Sequence, residues 1–82
     1  MDIINVFACN MKKYRKIKGF SQEKLASESG LHRTYISAIE CQKRSIALDN
    51  VQKIADALDV DTYVLFIPEY ENTKEIGGKY RE

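Results

Sequence analysis

Between Gln22 and Cys41 the chain reads QEKLASESGLHRTYISAIEC, and this stretch constrains the fold more than any other. Leu25, Ala26 and Ser29 stand at helical spacing, so one face of a short helix can be buried. Gly30 supplies the left-handed backbone that a sharp helix end requires. Leu31 plugs the turn, and Ile36 and Ile39 return a second helix to the same core. Ala26 is small where the two helices cross near their joint. This arrangement describes a helix-turn-helix. Its second helix carries Arg33, Thr34, Tyr35 and Ser37 on the outer face and first turn, where side chains can reach base edges and phosphates.

The flanking segments extend the pattern. SQEKLA (Ser21–Ala26), SGLHRTYISAIE (Ser29–Glu40) and KRSIALDNVQKIADALDV (Lys43–Val60) together resemble the phage Cro and repressor family. RTYIS followed by IE is similar to the controller proteins of restriction–modification systems within that family. The resemblance covers about Phe7 to Phe66. It implies an all-α domain, a five-helix bundle with the helix-turn-helix formed by helices 2 and 3. It also implies a homodimer on a pseudo-palindromic operator, with the option of two dimers pairing on DNA. Such regulators act on their own gene and on a restriction endonuclease gene, activating at low occupancy and repressing at higher occupancy. Activation needs contact with RNA polymerase, and Glu23 and Glu28 on the second helix are the candidates. A phage-type repressor or an antitoxin repressor shares most of the pattern. A protein-interaction module that has lost DNA binding would not need Arg33, Lys43 and Arg44.

Arg33 and Thr34 are expected to read bases, with Ser37 as a further base contact. Gln22, His32, Tyr35, Lys43 and Arg44 are expected at phosphates, which set register rather than read sequence. For Gln22 the phosphate role, and with it a bracing of the recognition helix, comes from the resemblance, while Tyr35 can pack under the neighbouring loop, contact a phosphate, or do both. The family usually has serine or threonine where His32 stands, glycine where Gln42 stands, and often proline near Ile46. These departures leave the start of the recognition helix and the path of the Cys41–Leu48 loop open.

Charge is distributed to match. Residues 1–48 hold nine Lys/Arg against four Asp/Glu, and residues 49–82 hold four against eight. The helix-turn-helix lies in the basic half, as suits a face turned toward phosphates, although a solvated charged surface gives the same count. Two cysteines, Cys9 and Cys41, and one histidine, His32, are too few for a zinc site, and nothing assembles a nucleophile, base and pocket. No metal, cofactor or enzymatic activity is therefore expected. Without an apolar run of about 18 residues no membrane span is expected, and without a basic, apolar leader a cytoplasmic location is.

The remaining elements follow from spacing. A first helix is expected from Asp2 or Ile3 to Lys18, ended by Gly19, with Ile4, Phe7, Ala8 and Met11 on its buried face. Arg15 is the next position on that stripe. A buried charge needs a partner, and Glu40 is the candidate; the resemblance supports an Arg15–Glu40 structural ion pair. A fourth helix is expected over Leu48–Leu58, with Leu48, Val51, Ile54, Ala55 and Leu58 inward and Ile46 and Leu48 as core anchors. Asp61 should cap a fifth helix, Thr62–Phe66, stopped by Pro68. Tyr63, Val64, Leu65, Phe66 and Ile67 are too apolar for one short helix to bury all round, which marks them as a dimer interface together with part of the fourth helix. Residues 1–68 thus form the DNA-binding and dimerisation domain. Residues 69–82 read as a polar, mobile tail in which Tyr70, Ile76 or Tyr80 can pack back on the body.

Overall fold

The computed structural model describes residues 2–68; the tail and its three proposed anchors lie outside the described residues. Four α-helices follow one another, α1 (Ile3–Lys18), α2 (Gln22–Ser29), α3 (Arg33–Glu40) and α4 (Leu48–Leu58), and a short 3₁₀ helix (Thr62–Phe66) closes the body. The all-α class holds. The fifth element is not an α-helix: five residues are closed by the short-range bonds Val64 N–H to Asp61 O and Ile67 N–H to Val64 O. Asp61 occupies its N-cap position, but the carboxylate makes no capping bond.

Local chemistry explains the helix limits. Asp2 Oδ1 accepts from the backbone N–H groups of Ile4 and Asn5 at 3.1 and 3.3 Å, which satisfies two orphan donors of α1. Ser21 Oγ does the same for Lys24 N–H at 3.0 Å at the start of α2. Each α-helix is followed within two residues by a left-handed residue: Gly19 (φ 79°), Gly30 (φ 75°), Gln42 (φ 62°), one residue beyond the Cys41 cap of α3, and Asp59 (φ 60°). In each case the N–H of the next residue reaches back to a carbonyl five positions earlier, as in Phe20 to Arg15, Leu31 to Ala26, Lys43 to Ala38 and Val60 to Ala55. Gln42 thus adopts the conformation that glycine would adopt freely, at a steric cost of about 1–2 kcal/mol.

The core is made of Phe7, Met11, Leu25, Ala26, Ile36, Ile39, Val51, Ile54, Ala55, Leu58 and Leu65. α1 packs on the 3₁₀ helix, α3 and α4, while α2 packs on α3 and α4. Ile46 is partly buried against this core, but Leu48 is 86% exposed and Ile4 is 40% exposed, contrary to their expected inward placement. Both lie in the first turn of their helices, at the edge of the bundle, where no further element among the described residues covers them. Together with Ile3, Phe7, Ile39, Ile46, Val51 and Phe66 they line an apolar cleft of about 200 Å³. Leu65 departs in the opposite sense. It is fully buried within its own monomer and cannot face a partner. Phe66 is partly buried, its ring centroid 5.4 Å from that of Phe7, so it also contributes to the core. Tyr63, at 65% exposed, is the residue of this segment that projects outward, with Val64 and Ile67 partly buried.

Candidate nucleic-acid interface

The recognition helix α3 is fixed to the body from below. Its last residue, Glu40, meets Arg15 of α1 in a two-pronged pair: Nε to Oε2 at 2.6 Å and Nη2 to Oε1 at 3.1 Å. The two side chains are only 10% and 4% exposed. Arg15 Nη1 donates to the Phe20 carbonyl at 2.8 Å, and Gln22 Nε2 donates to Glu40 Oε1 at 3.0 Å. The Arg15–Glu40 pair therefore ties together α1, the α1–α2 corner, the first turn of α2 and the end of α3. A bidentate guanidinium–carboxylate fork restricts orientation as well as distance.

The start of α3 is held by an unusual cap. His32 takes the N-cap position, and its Nδ1 accepts from Thr34 N–H at 3.4 Å and lies 2.9 Å from Thr34 Oγ1. Histidine thus substitutes for the shorter hydroxyl or amide side chains that usually do this. His32, Arg33 and Thr34 are all exposed, and Ser37 is partly buried one turn further on. Arg33 Nε lies 3.8 Å from Glu23 Oε2 of α2, with the two side chains 52% and 80% exposed. An ion pair so open to water adds little stability, so the guanidinium remains free to exchange this partner for another. Glu28, the other expected polymerase contact, pairs with Lys24 at 3.1 Å along the exposed side of α2.

Tyr35 is placed under the following loop. Its hydroxyl accepts from Ala47 N–H at 3.2 Å and from Asn50 Nδ2 at 3.0 Å. Ala47 is the N-cap residue of α4 and has no side-chain cap of its own, so Tyr35 anchors that helix start from across the loop. Arg44 lies over the Tyr35 ring with its guanidinium carbon 5.1 Å from the centroid, a cation–π arrangement that holds Arg44 against a residue of the first turn of the recognition helix. Lys43 and Arg44 are both exposed. A hydroxyl that accepts twice keeps its proton for a third partner.

The sequence points to a bracing role for Gln22 and a place under the loop for Tyr35 but not to their partners, Glu40 and Asn50, and it shows no sign of the Glu23–Arg33 pair. Each of these contacts joins residues that only the tertiary turn brings together. Cys9 and Cys41 are both free and exposed, and no group of three metal-type ligands forms among the described residues. No helix among the described residues is long and apolar enough to cross a membrane.

The sequence pattern of the helix-turn-helix family matches residues 11–65. A hypothetical transcription factor of Neisseria meningitidis serogroup B is 48% identical over 73 residues, spanning 89% of this chain and 69% of that one. The control protein C.SmaI of Serratia marcescens is 46% identical over 59 residues, 72% of this chain and 70% of that protein. Among solved structures, the restriction-modification controller protein C.Esp1396I, seen as a tetramer with its natural 35 base-pair operator, superimposes with a TM-score of 0.74 at 36% identity, covering 80% of this chain and 87% of that one. The chain therefore belongs to the helix-turn-helix family, in the branch that holds the controller proteins of restriction–modification systems.

Proposed function

We propose that the protein is a sequence-specific DNA-binding transcriptional regulator, acting as a homodimer on a pseudo-palindromic operator and controlling its own gene and a restriction endonuclease gene. The observation that carries this reading is the exposed first turn of α3, with Arg33 and Thr34 outward, on a helix clamped from below by Arg15 and Glu40. Each dimer would place its two recognition helices about one helical turn apart, ~34 Å. Arg33, Thr34 and Ser37 read bases. Gln22 with its remaining N–H, Tyr35 with its hydroxyl proton, His32, Lys43 and Arg44 hold phosphates on either side. A pair of dimers on one operator accords with the tetrameric assembly of C.Esp1396I. Glu23 and Glu28, exposed on α2, face RNA polymerase when the protein activates.

Base and phosphate contacts should fail differently. Arg33→Ala should cost about 1–3 kcal/mol at the operator and relax preference at one base pair per half-site, because a guanidinium can bond guanine O6 and N7 together. Lys43→Ala should weaken all sequences alike and flatten the salt dependence by about one unit of slope for each contact removed. Titration of the operator and its single-base variants at two salt concentrations checks both. An Arg33→Ala protein weakened by one common factor on every variant would move base reading to Thr34 and Ser37.

A further inference from the structure

Asn10 is a polar side chain set in the apolar stripe of α1, between Phe7 and Met11, and it is only 2% exposed. A buried amide is costly without partners. Its Nδ2 group donates to two main-chain carbonyls at the end of the 3₁₀ helix, Leu65 O at 3.0 Å and Ile67 O at 2.8 Å. An apolar residue would hold this segment by non-directional packing, which tolerates sliding and rotation. Two hydrogen bonds from one nitrogen to carbonyls two residues apart define both position and rotation.

The same helix grips the recognition helix further along, through Arg15 and Glu40. α1 therefore holds the segment that carries Tyr63 at one point and the DNA-reading helix at another. We propose that Asn10 is a positioning residue for operator recognition, setting the orientation of the dimerisation segment and hence the spacing of the two recognition helices. The proposal rests on the dimer reading given above and adds to it a residue that touches neither DNA nor the partner.

The test compares wild type, Asn10→Leu, Asn10→Asp and Tyr63→Asp, at a temperature where circular dichroism shows each protein fully helical. Asn10→Asp removes both donors at constant size. Should it fail to fold, Asn10→Leu, which fills the same space without donors, carries the test alone. The readouts are the dimer dissociation constant by sedimentation and binding to three duplexes: the enriched operator, the same operator with half-sites moved by one base pair, and an isolated half-site. The expected result is a loss of about tenfold or more in preference for the native spacing, with isolated half-site binding unchanged. A folded Asn10→Leu protein with unaltered dimerisation and spacing preference, beside a monomeric Tyr63→Asp protein, would overturn the role of Asn10 and leave the dimer reading in place. A Tyr63→Asp protein that stays dimeric with full operator affinity would move the interface off this segment and overturn the proposal while leaving the dimer reading in place, whereas a monomeric wild type would overturn the dimer reading itself.

Discussion

Glu40→Ala is expected to lower the stability of the domain by about 3–5 kcal/mol, the cost of leaving one partner of a buried ion pair uncompensated. Arg15 would keep its bond to the Phe20 carbonyl but lose both contacts to the carboxylate. Gln22 would lose its acceptor at the same time. A small domain has about 5–15 kcal/mol of stability in total, so the variant should melt well below the wild type and be partly unfolded at moderate urea concentrations. The pair need not be a large net gain over an apolar replacement. Arg15→Met combined with Glu40→Leu should recover much of the loss, since no charge is then stranded. Urea melts of wild type, Glu40→Ala and the double variant measure this. A loss below about 1 kcal/mol for Glu40→Ala would place the pair with exposed ion pairs, which contribute little.

The second large effect concerns association. Leu48 lines the apolar cleft with Phe66, Ile3 and Ile4 and is 86% exposed, and Tyr63, on the same 3₁₀ helix as Phe66, is 65% exposed. Contiguous exposed apolar surface of this kind marks an interface. Leu48→Asp and Tyr63→Asp should each give folded monomers, because neither side chain belongs to the core. Losing the second half-site contact should weaken operator binding on the order of a hundredfold, as expected when two linked binding events become independent. Leu65→Asp is not an equivalent probe. Leu65 is fully buried, and an aspartate there should unfold the monomer. Sedimentation velocity with parallel operator titrations decides the matter, and intact dimers in both Leu48→Asp and Tyr63→Asp would move the interface elsewhere.

These residues also show what the sequence makes legible. Gly19, Gly30, Asp2 and Ser21 announce their turns and caps because few residue types suit those positions, and the helix limits they imply agree with the observed ones. Gln42 takes the same left-handed conformation without being glycine, so its own side chain gives no sign of it, whereas Asp59 is of a type that tolerates this region but is common elsewhere too. Arg15 was legible as a charge on an apolar stripe, which needs a partner wherever it lies. Asn10 stands on the same buried face, but an asparagine is common on surfaces and its partners are main-chain carbonyls with no side-chain signature. Leu48 and Leu65 exchange their expected places for one reason. Periodicity defines which face of a helix is apolar but not how far the neighbouring elements extend over it. The first turn of α4 leaves Leu48 exposed at the edge of the bundle, while the 3₁₀ helix packs on α1 and buries Leu65.

The central claim is that α3 reads DNA sequence in a two-fold symmetric complex. Selection of bound duplexes from a random pool by the wild-type protein, followed by sequencing, tests it most directly. The expected result is enrichment of a pseudo-palindrome whose half-sites lie about one helical turn apart, with the enriched base pairs lost or relaxed when the selection is repeated with Arg33→Ala. Binding of the pool with no enrichment over the input would contradict it and leave a protein that holds phosphates without reading bases.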